Sequence, residues 1–318
     1  MSLAHIGQQL TIYGGMFIVI GGVIGNGMNI LVFSSVRTYR TAPCTFYFLI
    51  ASIFNIAVTT INLISRIVSA GFGVDLTRSS VSWCKIRQFC LVTLSLITLS
   101  CSCLATIDQF FITSQSASIR RLSSIKWAHR IVLIVILVWC LHGIPYLLFY
   151  NILPIIKACG NTNGDLAVYN PIYLLGLLCI TPVSVMVVFG YLTYRNIHLR
   201  RALAEQQADR QVTRMTLIQV ILVVICIVPY GINIAYNVAT SGISKDANRL
   251  LIENFVQSTI TLTSYIYFGG SCYVFLISSS RFRRVIKDRI LCWGRSNQVI
   301  PIQQPICKTA PLENRTYN

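Results

Sequence analysis

Residues 128–150 read AHRIVLIVILVWCLHGIPYLLFY, and this nearly unbroken apolar run sets the class of protein. An α-helix needs about 20 mostly apolar residues to cross the roughly 30 Å hydrocarbon core of a bilayer, and this run is long enough to do so. Six further stretches meet or nearly meet the same requirement, at residues 10–34, 44–70, 86–113, 170–195, 214–238 and 254–279. The sequence therefore predicts an all-α membrane protein built as a bundle of seven transmembrane helices.

The composition agrees with a membrane domain. The chain has 318 residues, of which 54% are hydrophobic and only 11% are charged. Soluble domains usually carry about 25% charged residues. Seven spans also leave little chain for a separate soluble domain. We expect a short extracellular N-terminus at 1–10, the helix bundle at 11–280 and a cytosolic C-terminal part after it.

The net charge of +17 follows the predicted spans instead of forming a nucleic-acid surface. Most arginines and lysines lie after the first, third, fifth and seventh spans, and the opposite connections hold few. Because cytoplasmic loops attract lysine and arginine, the pattern predicts a multi-pass plasma-membrane protein with its N-terminus outside and its C-terminus in the cytosol. The basic cytosolic face would then meet anionic membrane lipids or a cytosolic partner, and no nucleic-acid partner is expected.

Cysteine positions predict one disulfide. The chain has twelve cysteines, and most of them lie inside the apolar spans, where a thiol is usually a small buried hydrophobe. Only Cys84 and Cys159 fall at outward-facing positions, at the start of the third span and in the connection after the fourth. The extracellular side is oxidising, so we expect these two to pair and to fix that connection over the bundle.

Polar residues and prolines inside the spans allow a structural and a functional interpretation. Asn26 and Asn55 should face the bundle interior, where their amides can hydrogen-bond to other helices. They would serve either as interhelical contacts alone or as part of a signalling switch. Pro145, Pro182 and Pro229 would either produce static kinks or act as hinges.

Motif residues in every span resemble the rhodopsin-like, or class A, G-protein-coupled receptors. The resemblance covers about residues 12–292, and its strength lies in the order and register of marks that are weak one by one. The marks are Gly25-Asn26, Pro43, Tyr47-Phe48-Leu49, Asn55, Cys84, Asp108-Gln109-Phe110, Trp139, Pro145, Pro182, Tyr191, Cys226-Ile227-Val228-Pro229, Ser271-Cys272-Tyr273-Val274-Phe275 and Phe282. The resemblance implies a receptor that binds an extracellular ligand and activates a heterotrimeric G protein through helix movement.

The resemblance also implies roles for particular residues, and the chain departs from the family at several of them. Gln109 stands where the family has an arginine, so the ionic lock to an acid such as Asp209 cannot form. Asn55 and Ser271 replace the family's midspan aspartate and the asparagine facing it, so a monovalent cation should bind weakly or not at all. The residues implied in G-protein coupling are Asp108, Gln109, Phe110 and Asp209. Those implied in the activation switch are Asn26, Asn55, Pro229, Ser271 and Phe275.

The outer ends of the spans suggest the chemistry of the ligand. Residues 89–92 contain no acid, whereas the family's amine receptors carry an aspartate there, so a biogenic amine is not expected. The predicted ligand-binding residues are Arg66, Arg87, Asn233, Tyr236, Gln257 and Tyr265. This lining suits a peptide or another ligand with acidic or aromatic ends. Alternatively, the two arginines extend to lipid headgroups and bind no ligand.

The segment after the last span alternates basic and apolar residues at helical spacing. Residues 281–292 should form a short amphipathic helix, the eighth, along the inner leaflet. Cys292 at its end is a candidate palmitoylation site, and an unmodified basic tail is the alternative. Residues 293–318 contain three prolines and little periodicity, so we expect them to be disordered.

Other functional classes find little support in the sequence. The four histidines are scattered, and neither a catalytic triad nor a phosphate-binding loop is apparent, so we expect no enzyme activity, no metal site and no cofactor. Two alternatives to a coupled receptor stay open. One is a seven-helix protein that binds a ligand without G-protein coupling, and the other is a small transporter.

Overall fold

The structure is a computed structural model that describes residues 3–154, 157–199 and 207–293. In this part of the chain, seven helices are long and apolar enough to cross a membrane, which confirms the predicted bundle. They are α1 (Leu3–Ser35), α2 (Pro43–Gly71), α3 (Val81–Thr113), α4 (Ile125–Phe149), α5 (Gly164–His198), α6 (Gln207–Ala239) and α7 (Ala247–Ser278). An eighth helix, α8 (Ser280–Trp293), follows. One-turn helices also occur at Arg37–Arg40, Leu76–Ser79 and Ala117–Arg120.

Several helices extend beyond the apolar stretches that predict them. α1 begins at Leu3, so most of the expected N-terminal segment 1–10 is already helical. α3 begins at Val81 because the Ser80 side chain accepts a hydrogen bond from the Trp83 amide. α7 begins at Ala247, seven residues before the predicted stretch, and an Arg249–Glu253 pair lies on this polar first part. Hydropathy locates the part of a helix in lipid, whereas capping and ion pairs set where it starts.

Three of the spanning helices contain wider turns of π-helix. These turns lie at Leu10–Gly14 in α1, at Val58–Leu63 and Ile67–Gly71 in α2, and at Tyr173–Ile180 in α5. The turn in α5 ends just before Pro182, which lacks an amide proton and cannot continue the regular ladder. π-turns occur often at functional sites, and this one places Leu174 and Leu178 in the wall of the cavity described below.

The connection between α4 and α5 contains a β-hairpin, which the all-α prediction did not include. Strand β1 (Tyr150–Leu153) pairs antiparallel with β2 (Ala158–Asn161), with Ile152 opposite Cys159. Cys159 forms the predicted disulfide with Cys84 at the start of α3, with the two Cα atoms 5.6 Å apart. The hairpin is therefore bonded covalently to the bundle.

Close packing joins α1, α2, α7 and α8. A Cβ atom at Gly22 of α1 would lie only 3.1 Å from the Gly269 Cα of α7, so these two backbones are in direct contact. Toward α8, the rings of Phe33, Phe48, Phe275 and Phe282 form one buried cluster.

α8 is amphipathic, as predicted. Phe282 and Ile286 are buried, while Arg283 and Arg284 are exposed. The Ser279 hydroxyl accepts a hydrogen bond from the Phe282 amide and caps the start of the helix. The predictions for the Cys292 side chain and for residues 294–318 lie outside the described part of the chain.

Candidate functional site

A cavity of about 510 Å³ lies among α2, α3, α5, α6 and α7. The cavity lies between the helices at the end of the bundle that carries the hairpin. Arg87, which lines it, is three residues after Cys84, the residue to which the hairpin is bonded. Five of the predicted ligand-binding residues line this cavity: Arg66, Arg87, Asn233, Gln257 and Tyr265. The structure thus brings together side chains from α2, α3, α6 and α7 that are distant in sequence.

The cavity is positively charged. Arg66 and Arg87 line it, and no acidic side chain is among the described residues of its wall. The Nε atoms of both arginines are buried and have no hydrogen-bond partner in the part of the chain that the structure describes. A buried donor without an acceptor carries a free-energy cost that an anionic ligand would remove.

The acid nearest in sequence to Arg87 already has other partners. Asp75 caps the one-turn helix Leu76–Ser79, and it accepts hydrogen bonds from the Thr77 amide and hydroxyl and from Arg78 Nε. Partial burial raises the pKa of Asp75, but the Thr77 hydrogen bonds and the charges of Arg78 and Arg87 outweigh this and hold the pKa below its usual value. Asp75 is therefore an ionised cap, and Arg87 Nε remains without an acceptor.

The sixth predicted ligand-binding residue, Tyr236, lies outside the wall of this cavity. Among the described residues, Tyr236 is not part of the cavity wall, and its hydroxyl donates a hydrogen bond to Glu253 Oε1 at 2.8 Å. Arg249 Nη2 donates to the Tyr236 hydroxyl at 2.9 Å, and Lys245 also bonds Glu253. Charge-assisted bonds of this kind are stronger than neutral ones, so they hold the Tyr236 ring at the rim. We call Tyr236, Lys245, Arg249 and Glu253 the rim cluster.

Tyr230 lines the cavity and was missed at the sequence level. It directly follows Pro229 and lies three residues before Asn233 and seven before Asn237, which is the spacing of one helix face. Both asparagines also line the cavity. That spacing is the signal that would have favoured Tyr230 over Tyr236.

Buried amides connect α1, α2 and α7. Asn26 Nδ2 donates to the Phe268 carbonyl at 2.9 Å, while Asn26 Oδ1 accepts from Asn55 at 3.2 Å and from Ser271 at 3.4 Å. Asn29 donates to the Ser271 hydroxyl at 3.1 Å. Three of the predicted switch residues therefore form one neutral hydrogen-bond network, and all of its members are buried.

The other two predicted switch residues lie elsewhere. Phe275 belongs to the aromatic cluster with Phe33, Phe48 and Phe282, and Pro229 lies within α6. The helix continues on both sides of Pro229. The structure brings neither residue into the amide network.

The predicted coupling residues lie near the end of α3 that is opposite the disulfide. Asp108 and Gln109 are both buried. The Ser123 hydroxyl donates to Asp108 Oδ1 at 2.6 Å, and the Thr213 hydroxyl donates to Gln109 Oε1 at 2.8 Å. α3 and α6 are thus joined by an uncharged bond in place of the ionic lock. Thr213 was not predicted, although it lies one helical turn after Asp209.

Phe110 and Asp209 complete the predicted coupling set. The Phe110 ring packs against Phe189 of α5, with the ring centroids 5.5 Å apart. Asp209 lies in the first turn of α6, and its side chain lies outside the described part of the structure.

The fold and these sites define a class: a multi-pass membrane receptor of seven helices, with a disulfide from α3 to the connection after α4. The sequence profile of the 7 transmembrane receptor (rhodopsin family) matches residues 25–282. The chain therefore belongs to the rhodopsin family of seven-transmembrane receptors. No curated protein shows significant similarity to it.

Proposed function

We propose that this protein is a cell-surface receptor that binds an extracellular ligand with an acidic group in the cavity and activates a heterotrimeric G protein through helix movement. The observation that carries the ligand proposal is the pair of buried, unpartnered Nε atoms of Arg66 and Arg87 in a wall without a described acid. The distribution of basic residues supports an extracellular N-terminus, and membership of the rhodopsin family supports a plasma-membrane location.

The size and lining of the cavity limit the ligand. A volume of about 510 Å³ lies within the range of roughly 300–1,000 Å³ found for small-molecule sites. It would admit a small organic acid or the acidic end of a peptide. Tyr230 and Tyr265 supply aromatic faces and hydroxyl groups, which suits an aromatic portion next to the acid.

The burial of the Nε atoms of Arg66 and Arg87 argues against the alternative of snorkelling. An arginine that extends to lipid headgroups keeps its charged end in water. Here the Nε atoms are buried and Arg66 shares the cavity wall with Tyr265. This arrangement supports a role in ligand binding.

The experiment is a thermal-stability screen of the purified full-length protein with small carboxylic acids, each compared with its own amide. An acid should raise the unfolding temperature while its amide does not, because only the acid neutralises the arginines. Arg66→Gln and Arg87→Gln should each abolish the shift. Arg78→Gln is the matched control, since its side chain is 62% exposed and lies outside the cavity wall. Equal stabilisation by acids and amides would refute an acidic ligand.

A second candidate function is a receptor that binds its ligand without activating a G protein. The observation that favours it is the neutral Gln109–Thr213 bond at the position of the family's arginine. Both candidates share the ligand cavity, so the stability screen tests them together. They differ in nucleotide exchange on a G protein, which only a coupled receptor accelerates.

A further inference from the structure

The connection between α3 and α4 contains a serine that follows two arginines. Residues 120–125 read RRLSSI, so Arg120 and Arg121 stand three and two residues before Ser123. Arginine-directed serine/threonine kinases select basic side chains at these two positions, because guanidinium groups pair with carboxylates in the kinase's substrate cleft. A motif this short is weak evidence alone, so the argument for a modification site depends on where the structure places the serine.

The serine lies in an accessible loop at the end of the bundle opposite the disulfide. The α3–α4 connection comprises residues 114–124, and the Arg121 side chain in it is exposed. Ser123 is half-buried, and both Ser123 and Ser124 are in neither helix nor strand. The backbone at Ser124 is extended, with φ −141° and ψ 132°. A kinase binds its substrate as an extended segment, and this part of the connection can adopt that shape without unwinding a helix.

Ser123 also connects this loop to α3. Its hydroxyl donates a hydrogen bond to Asp108 Oδ1 at 2.6 Å. Asp108 is only 4% exposed, and its Oδ2 atom has no hydrogen-bond partner in the part of the chain that the structure describes. The motif serine therefore donates to a buried carboxylate, and this bond holds the α3–α4 connection against α3.

A phosphate on Ser123 would turn this attraction into repulsion. Phosphorylation removes the proton that Ser123 donates and adds a charge of about −1.5 to −2 next to Asp108. Like charges repel more strongly when solvent is excluded from the space between them. Away from α3, Arg121 and Lys126 are exposed, and neither forms an ion pair among the described contacts. The phosphate is thus stabilised on the outer side of the connection and destabilised beside Asp108.

We propose that Ser123 is a phosphorylation site for an arginine-directed kinase, and that its phosphate releases the α3–α4 connection from Asp108. Ser123 Oγ attacks the γ-phosphorus of Mg²⁺-bound ATP, and the bond from that phosphorus to the β,γ-bridging oxygen breaks. ADP leaves, and the serine proton passes to the catalytic carboxylate of the kinase. The site requires the proposed topology, which puts this connection in the cytosol with ATP and kinases. It depends on neither the extracellular ligand nor G-protein coupling.

The contact with Asp108 also makes the modification depend on conformation. While Ser123 donates to Asp108, its oxygen is directed toward α3 and cannot enter a kinase cleft. The bond must open before the phosphate is transferred. Asp108→Asn keeps the shape of the acceptor but removes its charge, and hydrogen bonds between neutral groups are weaker. We therefore expect D108N to be phosphorylated faster than the parent protein.

The test is incubation of the detergent-purified full chain with ATP and the catalytic subunit of the cyclic-AMP-dependent protein kinase, followed by peptide mass mapping. We expect a phosphate on Ser123 and none on Ser124. R120Q/R121Q should lower the initial rate about tenfold or more, because two charge-assisted contacts to the kinase are lost. The matched control is R37Q/R40Q, which removes the same charge from exposed positions after α1. A Ser123 without phosphate, or an equal loss of rate in both double variants, overturns the site.

The release is tested by hydrogen exchange of the amides of residues 114–124. Phosphorylation should raise their exchange rates about tenfold or more, because the contact that holds the segment is lost. S123A removes the bond without adding charge, so its rise should be smaller, and the phosphate should have a smaller effect in D108N. An unchanged rate, or an effect as large in D108N as in the parent, would show that the phosphate does not act through Asp108. Neither assay contains an extracellular acid or a G protein, so failure here is distinct from failure of the proposed function.

Discussion

Both ends of α6 are joined to neighbouring helices, but by groups of different chemistry; we call the end on the side of the hairpin the outer end and the opposite end the inner end. At the outer end, the charged rim cluster connects Tyr236 of α6 to Glu253 and Arg249 of α7. At the inner end, Thr213 bonds Gln109 of α3, and the Gln211 side chain bonds Ser279 and Ser280 beside α8. Every described contact of this inner set is uncharged.

This difference predicts different responses of the two ends to their surroundings. The side chains of Lys245 and Glu253 in the rim cluster are 18% and 15% exposed, and salt in the solvent screens ion pairs that lie this close to the surface. Buried neutral hydrogen bonds are insensitive to salt and contribute roughly 0.5–1.5 kcal/mol each. The ionic lock of the family would have given the inner end a charged contact as well. With that arginine replaced, the described charged contacts of α6 are those of the rim cluster.

The largest effect should come from the disulfide that joins α3 to the hairpin. Cys84→Ala removes the disulfide to Cys159, and loss of a native disulfide typically costs about 2–5 kcal/mol. We expect a clear fall in the unfolding temperature and in cell-surface expression. The control is Cys90→Ala, because Cys90 is a free cysteine of the same helix. If both variants unfold alike, the hairpin is held by packing and not by the disulfide.

The next effect concerns the missing charge at the inner end. Gln109→Arg should allow a charged contact with the partner, worth about 1.5–3 kcal/mol, and so strengthen binding of a purified nucleotide-free G protein about tenfold or more. It should also raise the ratio of stimulated to basal nucleotide exchange once an activating acid is found. Gln109→Leu, which removes the Thr213 bond without adding charge, is the control. If neither variant differs from the parent protein at equal surface amounts, the chain does not couple, and the second candidate function takes over.

A smaller effect is expected from the neutral bond itself. Thr213→Val removes the hydroxyl that donates to Gln109 and leaves a buried acceptor unsatisfied, which should cost about 1–3 kcal/mol. The loss should be the same at low and high salt in a thermal unfolding assay. Thr263→Val is matched to it, because the Thr263 hydroxyl bonds only a carbonyl of its own helix among the contacts described. A loss that depends on salt would contradict a neutral contact.

The smallest effect should be that of the rim cluster. Glu253→Gln removes the charge that Lys245 and Arg249 share, and the destabilisation should shrink as salt rises. The comparison is between about 0.1 M and 1 M salt, where the Debye length falls from about 10 Å to about 3 Å. Asp165→Asn, an exposed acid of α5, is the control. If the loss of stability in Glu253→Gln is the same at both salt concentrations, the rim cluster behaves like the buried neutral contacts. The predicted difference between the two ends of α6 would then be wrong.

The sequence was sufficient for the bundle because each span needs only length and apolarity, and neither depends on the rest of the fold. The starts of α1 and α7 were placed too late, since polar residues can be helical outside the lipid. The hairpin was not anticipated. β1 is an apolar continuation of the fourth stretch, and its partner strand is set by the disulfide at Cys159.

The sites were less predictable, because they depend on how each helix is rotated about its axis. The positions of Arg66 and Arg87 along their spans predicted that both lie near the outer mouth of the bundle, and both line the cavity. The prediction included Tyr236 and did not include Tyr230, and a separation of six residues places these two side chains on different faces of the helix. The absence of the arginine at position 109 was visible in the sequence. Its replacement by a bond to Thr213 required the distance between α3 and α6.

The amide network has a consequence for the order in which the protein is made. Asn26 and Asn29 donate to Phe268 and Ser271, each 242 residues further along the chain. At a synthesis rate of roughly 5–20 residues per second, those acceptors emerge about 10–50 s after the amides that bond them. During that interval α1 is already in the membrane, and the described partners left to its two amides are the Gly22 carbonyl of α1 for Asn26 and the Ser52 hydroxyl of α2 for Asn29. We expect a chain that ends before α7 to leave α1 open to cross-linking by insertion factors, which the complete chain should resist. The first helix to enter the membrane therefore forms its last interhelical hydrogen bonds only after α7 has been made.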